Sequence, residues 1–403
     1  MRYSKGQDNV LKIFWFLLSP ITSLVLSWRS LNTKSTYVII FLFCVLFGLA
    51  FTPDFNSTLD SVYYANYFKE NSSITWSEFY SDFEIFISYQ EGKKDFYLHT
   101  ATFIVSRFTS NVHFLFGFFA VVFSFFYLKS FSYLTFDKSY KNTLFCFILA
   151  AMFTISNPIF NINGVRFWTA AWIGVYSIFK IVEDKKYFYI ILLSLTPFIH
   201  ATFWLLIVVL VLYFCLKNYS KTLFYLFVFS FFLSSFVFEF IGDLSSILPP
   251  ILQRYLVSYG SENAVSNREA IIDNASWFMK PFLYGQKWYL NGLILIFIKE
   301  FKLFKGRREW HLLMFVIVLG IVVNLGQSIP SLGVRYAMIM YPFVAVLWQK
   351  VILETGKYNW MLYLFPLVFF MEIFHLITRI FIVLDPLFYV SPPFYFLYYI
   401  INK

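Results

Sequence analysis

The chain has 403 residues, of which 59% are hydrophobic and 24% aromatic, whereas only 13% are charged. A soluble fold of this length could not cover so much apolar surface, so the composition excludes a soluble protein and predicts an integral membrane protein. The formal net charge of +10 does not indicate nucleic-acid binding, because most basic residues lie in short connections between apolar runs.

Apolar runs near the length that crosses about 30 Å of hydrocarbon recur along the whole chain. We therefore predict an all-α, polytopic transmembrane helix bundle that forms a single integral membrane domain over residues 1–403. About eleven crossings are expected, within a range of roughly nine to thirteen. The candidate spans are 10–27, 36–52, 96–110, 112–128, 143–158, 166–182, 187–199, 201–216, 222–240, 288–301, 311–329, 335–352 and 360–384.

The charge of the connections predicts which side of the membrane each one faces. Lysine and arginine accumulate in alternate connections, which the positive-inside rule places in the cytoplasm. The intervening connections then face outward, and the longest of them are 53–95 and 241–287. Both exceed the usual length of a connection, which favours functional outer loops over plain linkers.

Two segments fit this topology poorly. If 10–27 crosses the membrane, its basic N-terminus lies outside, so a cytoplasmic hairpin or a surface helix broken at Pro20 remains an alternative. Segment 96–110 contains His99 and Arg107, and the loop charges permit only one net crossing through 96–128. That segment either dips into the membrane and returns or lies at the interface.

The chain twice places Gly-Val-Arg and an aromatic residue at the start of a long apolar run, at Gly164 to Phe167 and at Gly333 to Tyr336. An arginine at the edge of hydrocarbon is costly, and its guanidinium suits bidentate binding of phosphate. Arg166 and Arg335 therefore predict an anion pocket at the outer membrane surface. Each could instead be an interfacial anchor that reaches the headgroups.

Other polar residues are expected near the same face. His200 follows a tight outer turn, and Asp60 with Tyr63 lies just beyond span 36–52. Arg254 lies in the 241–287 loop. Each also has a plainer interpretation: His200 as a helix-end residue, Asp60 as a solvated carboxylate and the tyrosine as part of the interfacial aromatic belt.

In the last span, Glu372, His375 and Arg379 are spaced to share one helix face. Charged groups within a span normally face the bundle interior or a water-filled cavity. The three residues therefore predict a polar cavity, although Glu372 and Arg379 could simply neutralise each other.

Familiar signatures of soluble enzymes are absent from the sequence. It has no phosphate-binding glycine loop with lysine, no dinucleotide fingerprint and no His-Glu-x-x-His motif. Cys44, Cys146 and Cys215 lie singly in apolar segments, and outer-loop carboxylates are scattered. We therefore expect no disulfide, no metal site and no cofactor.

The arrangement resembles the bacterial O-antigen and exopolysaccharide polymerases of the Wzy-type, EpsG-like family. Three segments carry the resemblance: Asp60-Ser61-Val62-Tyr63-Tyr64, the block Asn161 to Leu206 with Arg166 and His200, and Gly333-Val334-Arg335-Tyr336-Ala337. The size, the span number, the long outer loop and the composition are also similar.

The resemblance implies a GT-C-like glycosyltransferase without a metal, at the outer face of the bacterial cytoplasmic (inner) membrane. It would move the growing glycan from undecaprenyl diphosphate to a fresh lipid-linked repeat unit, among membrane lipids and with a chain-length regulator as a partner protein. The diphosphate and glycan would be bound by the set Arg166, Arg335, Arg379, His375, Arg254, Tyr63 and Tyr336. The acceptor hydroxyl needs a base or an orienting group, for which His200 is the first candidate, followed by Asp60 and Glu372.

A flippase or exporter of the same lipid-linked oligosaccharide is the main alternative, since it too would have about a dozen spans and cationic cavity residues. A transporter should have two similar halves with charges at both faces, whereas the cationic sites here cluster on one side. An O-antigen ligase is a second alternative with the same donor chemistry.

Overall fold

A computed structural model of the chain describes residues 5–55, 59–88, 95–233, 280–329 and 332–402. Within these ranges the protein is helical, as predicted, and the only extended pairing is a single β-bridge between Phe51 and Leu384. The helices of the first half are α1 (Lys5–Leu18), α2 (Pro20–Ser27), α3 (Lys34–Ala50), α4 (Asp60–Asn71), α5 (Trp76–Ile87), α6 (Tyr97–Ser106), α7 (Val112–Thr135), α8 (Leu144–Ile155) and α9 (Val165–Ile178). They are followed by α10 (Tyr189–Ser194), α11 (Thr196–Ile199), α12 (Trp204–Leu216), α13 (Ser220–Phe229), α14 (Lys280–Lys299), α15 (Phe301–Phe304), α16 (Glu309–Leu325), α17 (Leu332–Leu347), α18 (Phe365–Val368), α19 (Phe370–Val383), α20 (Leu387–Val390) and α21 (Pro393–Asn402).

In the described part of the chain, three helical stretches are long and apolar enough to cross a membrane: Val112–Thr135, Leu144–Glu183 and Leu332–Thr355. A fourth candidate is the pair Asn359–Val368 and Phe370–Val383, which is bent by 46°. These stretches agree with membrane association. The number of about eleven crossings stays a prediction.

The stretch Leu144–Glu183 is 40 residues long, about twice the length that crosses a bilayer. Two contacts show that the chain reverses between α8 and α9. Phe153 stacks on Trp172 with ring centroids 5.5 Å apart, and the Asn157 amide donates to the Trp168 carbonyl over 3.1 Å. The stretch is therefore a helical hairpin, with its turn in the connection that the sequence predicts to face outward.

Helix α17 lies at the centre of the bundle. Every residue from Tyr336 to Leu347 is buried, although a lipid-facing helix would expose one side. It packs against α16, α8 and α14, and also contacts α7 and α9. The apolar run that follows Arg335 is thus enclosed by protein, which fixes where that arginine can lie.

The predicted span 10–27 is broken at Ser19, whose hydroxyl accepts from the Thr22 amide and caps α2. The chain turns back there, because the Ser23 hydroxyl donates to the Lys12 carbonyl over 2.8 Å, and these residues would be far apart in one straight helix. The structure therefore has the hairpin that the sequence left as an alternative.

The connection 53–95, which the sequence predicts to face outward, contains α4 and α5, and it leads into α6. Helix α6 has 10 residues, about 15 Å, and is too short to cross a bilayer. It packs against α4 and α7, in agreement with a segment that does not cross by itself. The loop 241–287 lies outside the described residues except where α14 begins, and Arg254 lies outside them as well.

Helices α9 and α17 have the same internal plan. A 3-10 turn precedes each of them, at Ile159–Gly164 and at Gly326–Ser328, and a π-helical turn follows each of them, at Phe179–Glu183 and at Trp348–Ile352. The π turns begin at 179 and 348, each 15 positions after the glycine of Gly-Val-Arg. The sequence echo at Gly-Val-Arg therefore extends over two whole helices.

Candidate active site

Arg166 and Arg335 both lie in the first turn of a helix, where the helix dipole is positive. A cation is unfavourable at that end unless negative charge lies nearby. The two residues thus form an electropositive region at one end of α9 and α17, and the surrounding side chains determine what it can bind.

The Arg166 guanidinium is bound by Asp95, which immediately precedes α6. Nη1 lies 2.9 Å from Asp95 Oδ2, and the carboxylate is nearly fully buried, with 3% of its side chain exposed. The guanidinium carbon lies 5.7 Å from the centroid of the Tyr64 ring. Arg166 Nε is buried without a hydrogen-bond partner among the described residues, whereas 27% of the side chain as a whole is exposed.

Arg335 lies over Phe167, with its guanidinium carbon 5.1 Å from the ring centroid. Phe167 is itself buried and directly follows Arg166 in the chain. Among the described residues Arg335 forms no ion pair, in contrast to Arg166. The Arg335 side chain thus contacts the residue that follows Arg166 in the chain, and of the two arginines only Arg166 has a carboxylate partner among the described residues.

His200 joins the same cluster from the turn between α11 and α12. Its ring meets Phe167 edge-on at 5.3 Å, and its Nδ1 lies 2.8 Å from the Thr202 hydroxyl. Burial lowers the pKa of His200 to about 3, and the positive charges of Arg166 and Arg335 act in the same direction. The imidazole is neutral at physiological pH and is a weak base.

Tyr336 supports this turn from α17. Its hydroxyl donates to the Thr202 carbonyl over 2.7 Å, and its ring is fully buried beside Phe167 and Phe203. The sequence predicted Tyr336 as a substrate-binding residue, and that role stays a prediction. In the structure, Tyr336 holds the His200–Thr202 turn against the helix that carries Arg335.

Helix α4 forms another side of the cluster. Asp60 is its first residue and accepts from the Tyr64 hydroxyl over 3.4 Å, while Tyr64 is the ring beside Arg166. Tyr63 is 52% exposed and meets Tyr64 at 6.1 Å. Burial raises the pKa of Tyr63, and the Arg166 charge opposes that rise. Asp60 and Tyr63 thus lie near Arg166, as the sequence predicted.

The last predicted group, Glu372, His375 and Arg379, lines a cavity of about 320 Å³. The three residues share one face of α19, as their spacing predicted. Trp168 and Met338 line the opposite side, one from each helix that carries an arginine. Arg166 and Arg335 are not among the lining residues, so this cavity adjoins the arginine cluster without including it. Among the described residues, Glu372 and Arg379 form no ion pair.

The sequence did not predict Asp95, Thr202 or Phe167 as parts of this cluster. Phe167 contacts both Arg335 and His200. Asp95 lies 71 positions from Arg166, and the only local signal was a carboxylate at the end of the long connection 53–95. Its role depends on how α6 and α9 both pack against α7, which no local pattern encodes.

The chain matches no protein-family model, no curated protein and no solved structure. The candidate function is therefore argued from the geometry of the cluster and from the sequence resemblance.

Proposed function

We propose that the protein is a membrane glycosyltransferase of the O-antigen polymerase type. It transfers a growing glycan from undecaprenyl diphosphate to a new lipid-linked repeat unit at the outer face of the cytoplasmic membrane. The observation that most supports this proposal is that Arg166 and Arg335 lie in the first turns of two neighbouring helices and that both charges act on the same histidine, His200.

A lipid diphosphate fits the charges of the cluster. Asp95 and Asp60 lie near Arg166, whereas Arg335 has no ion pair among the described residues, so the uncompensated positive charge lies at Arg335. The exposed part of the Arg166 side chain and the Arg335 guanidinium can donate to oxygens of a diphosphate. Two guanidinium groups suit an anion with two phosphate groups better than a single carboxylate.

The same groups support the chemistry of transfer. The acceptor oxygen bonds to the anomeric carbon, and the bond from that carbon to the phosphate oxygen breaks. The electron pair leaves with the diphosphate, whose growing negative charge is stabilised by both arginines. Neutral His200 can orient a hydroxyl by a hydrogen bond without placing another positive charge in the site.

The cavity beside α19 fits the rest of a lipid-linked substrate. It joins aromatic Trp168 and apolar Met338 to the polar residues Glu372, His375 and Arg379. Such a mixed lining suits the junction of a sugar and a lipid headgroup.

Electrophoresis of the surface polysaccharide in a strain complemented with variants tests this proposal. Arg166→Ala or Arg335→Ala should leave the protein in the membrane and restrict the glycan to one repeat unit. Lysine at either position should rescue poorly, because it lacks the planar fork of a guanidinium. Arg29→Ala removes an exposed charge elsewhere and should leave the ladder unchanged.

Long polymer in both arginine-to-alanine variants would refute the proposed role. Complete loss of surface units on deletion of the protein would instead identify a flippase or a ligase.

A further inference from the structure

The proposed transfer needs a group that removes the proton of the acceptor hydroxyl. Neutral His200 is a weak base, and Asp95 is bound to Arg166. The following inference rests on the proposed function and concerns a second set of polar residues, on the outer helices α4, α5 and α6.

Asp82, His99 and Tyr67 form a continuous hydrogen-bonded chain across these three helices. Asp82 Oδ2 lies 3.1 Å from His99 Nε2, and His99 Nδ1 lies 2.9 Å from the Tyr67 hydroxyl. His99 is buried, with 1% of its side chain exposed, whereas Asp82 is partly open at 34%.

The surroundings fix the orientation of the His99 ring. Phe79 stacks on it with centroids 5.1 Å apart and planes at 14°, and Phe96 meets it edge-on at 5.0 Å. The Asn71 amide lies 3.2 Å from Nδ1 and donates to the Thr102 hydroxyl over 2.6 Å. An imidazole held in this way keeps Nε2 toward the carboxylate and Nδ1 toward the phenol.

This geometry assigns the protons of a neutral histidine. A hydrogen on Nε2 is donated to Asp82, so Nδ1 accepts the hydrogen of the Tyr67 hydroxyl. The phenol oxygen also accepts from the Asn71 amide and keeps one lone pair for an acceptor hydroxyl. The order of carboxylate, imidazole and hydroxyl is the one by which catalytic triads activate a hydroxyl group.

Tyr67 lies on α4, about one helical turn from Tyr64, which contacts the arginine cluster. Its ring stacks on Tyr63 at 5.6 Å with planes at 14°, and Tyr63 meets Tyr64, the ring beside Arg166. Burial raises the pKa of Tyr67 to about 12, with Tyr63, Asp82 and Asp95 adding to that effect against the hydrogen bond from Asn71. The phenol is thus protonated at neutral pH and needs a partner that takes its proton.

We propose that Tyr67 is the general base for the acceptor hydroxyl and that His99 and Asp82 complete its proton relay. The acceptor proton moves to the Tyr67 oxygen as the Tyr67 proton moves to His99 Nδ1. The acceptor oxygen bonds to the anomeric carbon, and the diphosphate leaves with the electron pair. Asp82 stabilises the imidazolium, which later returns its proton through Tyr67 to solvent.

Elongation of purified lipid-linked repeat units by the purified protein tests the relay. Tyr67→Phe keeps the ring and its stacking but should lower the elongation rate by about 10²–10⁴-fold, the usual contribution of a general base. Binding of the lipid-linked unit should be unchanged. Tyr80→Phe is the matched control, because Tyr80 lies on α5 with 62% of its surface exposed. This variant should elongate the glycan at the wild-type rate.

Asp82→Asn tests the relay through the pH dependence of the elongation rate. That dependence would not change if Asp82 and His99 had a purely structural role. The proton acceptor is neutral His99, so activity falls where His99 becomes protonated. Removing the anion makes the imidazolium less favourable, so the acid limb of the pH–rate profile should move to lower pH while the maximal rate falls. The other titratable groups around the relay are Tyr63 and Asp95 near Tyr67, Glu78 near Asp82, and Arg107, which donates to the carbonyls of Asn71 and Ser72.

A wild-type rate in Tyr67→Phe, or an unmoved acid limb in Asp82→Asn, would overturn the relay. If Arg166→Ala has lost elongation in the same assay, the proposed function stands and the relay alone is wrong. If both Arg166→Ala and Tyr67→Phe elongate normally, the arginine role and the relay are both wrong, whereas a wild-type protein that does not elongate the repeat units would refute the proposed function itself. Should Tyr67→Phe not accumulate, the acid limb of Asp82→Asn decides.

Discussion

Glu183 and Lys350 form a buried ion pair that joins the π-helical turns at the ends of α9 and α17. Asp137 also binds Lys350, at 3.3 Å, and Arg308 binds Asp184 next to Glu183. These turns lie at the opposite ends of the two helices from Arg166 and Arg335. The ion pair therefore limits how far one helix can shift along the axis of the other. It thereby fixes the positions of the two arginines relative to each other along the helix axes.

Lys350→Ala should destabilise the protein strongly, because it leaves the Glu183 carboxylate buried without its partner. Breaking a buried pair from one side typically costs about 3–5 kcal/mol. Thermal unfolding of the detergent-purified protein measures the loss, and the double exchange of Glu183→Lys with Lys350→Glu should recover part of it. The control is Lys357→Ala, whose pair with Glu300 is exposed and should change the unfolding temperature little. Equal shifts in the two alanine variants would contradict a structural role for the buried pair.

Asp95→Asn should weaken the binding of the lipid-linked donor. The substitution removes the negative partner of Arg166, which is then free to leave the orientation seen beside Tyr64. A charge-assisted hydrogen bond contributes about 1.5–3 kcal/mol, which corresponds to a roughly 10- to 100-fold rise in KM. Steady-state elongation kinetics measure this, with Asp54→Asn in the same outer region as a control. A fall in kcat at constant KM would mean that Asp95 has a different role.

The stability of the protein should fall in mild acid because of His200. Its pKa is about 3 in the folded protein and about 6.5 when unfolded, so only the unfolded state gains a proton between these values. The contribution of His200 to the free energy of unfolding is fully present above pH 6.5 and is lost progressively as the pH falls toward 3. The loss amounts to roughly 3 kcal/mol at pH 4.5. His200→Gln should flatten the dependence of unfolding temperature on pH over that interval. An unchanged dependence in the variant would exclude His200 as its source.

Gly333→Ala should displace Arg335 and impair polymerisation. A Cβ at this position would lie 2.8 Å from Gln327 Nε2 and 2.9 Å from Gln327 Cα, and the backbone atom cannot yield as a side chain can. Overpacking of this kind costs about 1–3 kcal/mol. Gly292→Ala is the matched control, since its Cβ would make an ordinary 3.6 Å contact with Met361 Cε. Gly333→Ala should shorten the surface-glycan ladder and lower the unfolding temperature, whereas Gly292→Ala should change neither. A wild-type ladder in Gly333→Ala would contradict the prediction.

Gly333 also illustrates what local sequence can predict and what it cannot. The repeated Gly-Val-Arg predicted two arginines at helix starts, because helix periodicity and the cost of a charge in hydrocarbon are local properties. The spacing of Glu372, His375 and Arg379 predicted a shared face for the same reason. Which side chain meets Arg166 depends on tertiary packing over 71 positions, so Asp95 was not found.

The relay of Asp82, His99 and Tyr67 was hidden for a similar reason. Each residue is ordinary on its own helix, and the contacts arise only when α4, α5 and α6 pack together. The π turns were also missed, because hydropathy does not distinguish a five-residue turn from the α-helix around it. Burial of all sides of α17 explains why its sequence resembles a lipid-facing span while its surroundings are protein.

The 46° bend between α18 and α19 has a consequence for how a substrate arrives. Helix α19 exposes Phe370, Phe374 and Ile377 next to the polar residues of its cavity. In the proposed function, a lipid-linked substrate would enter sideways there, with its tail against these apolar side chains. Turnover would then follow the mole fraction of that lipid within the membrane, a two-dimensional concentration, and dilution of the membranes in buffer would leave the rate per protein unchanged.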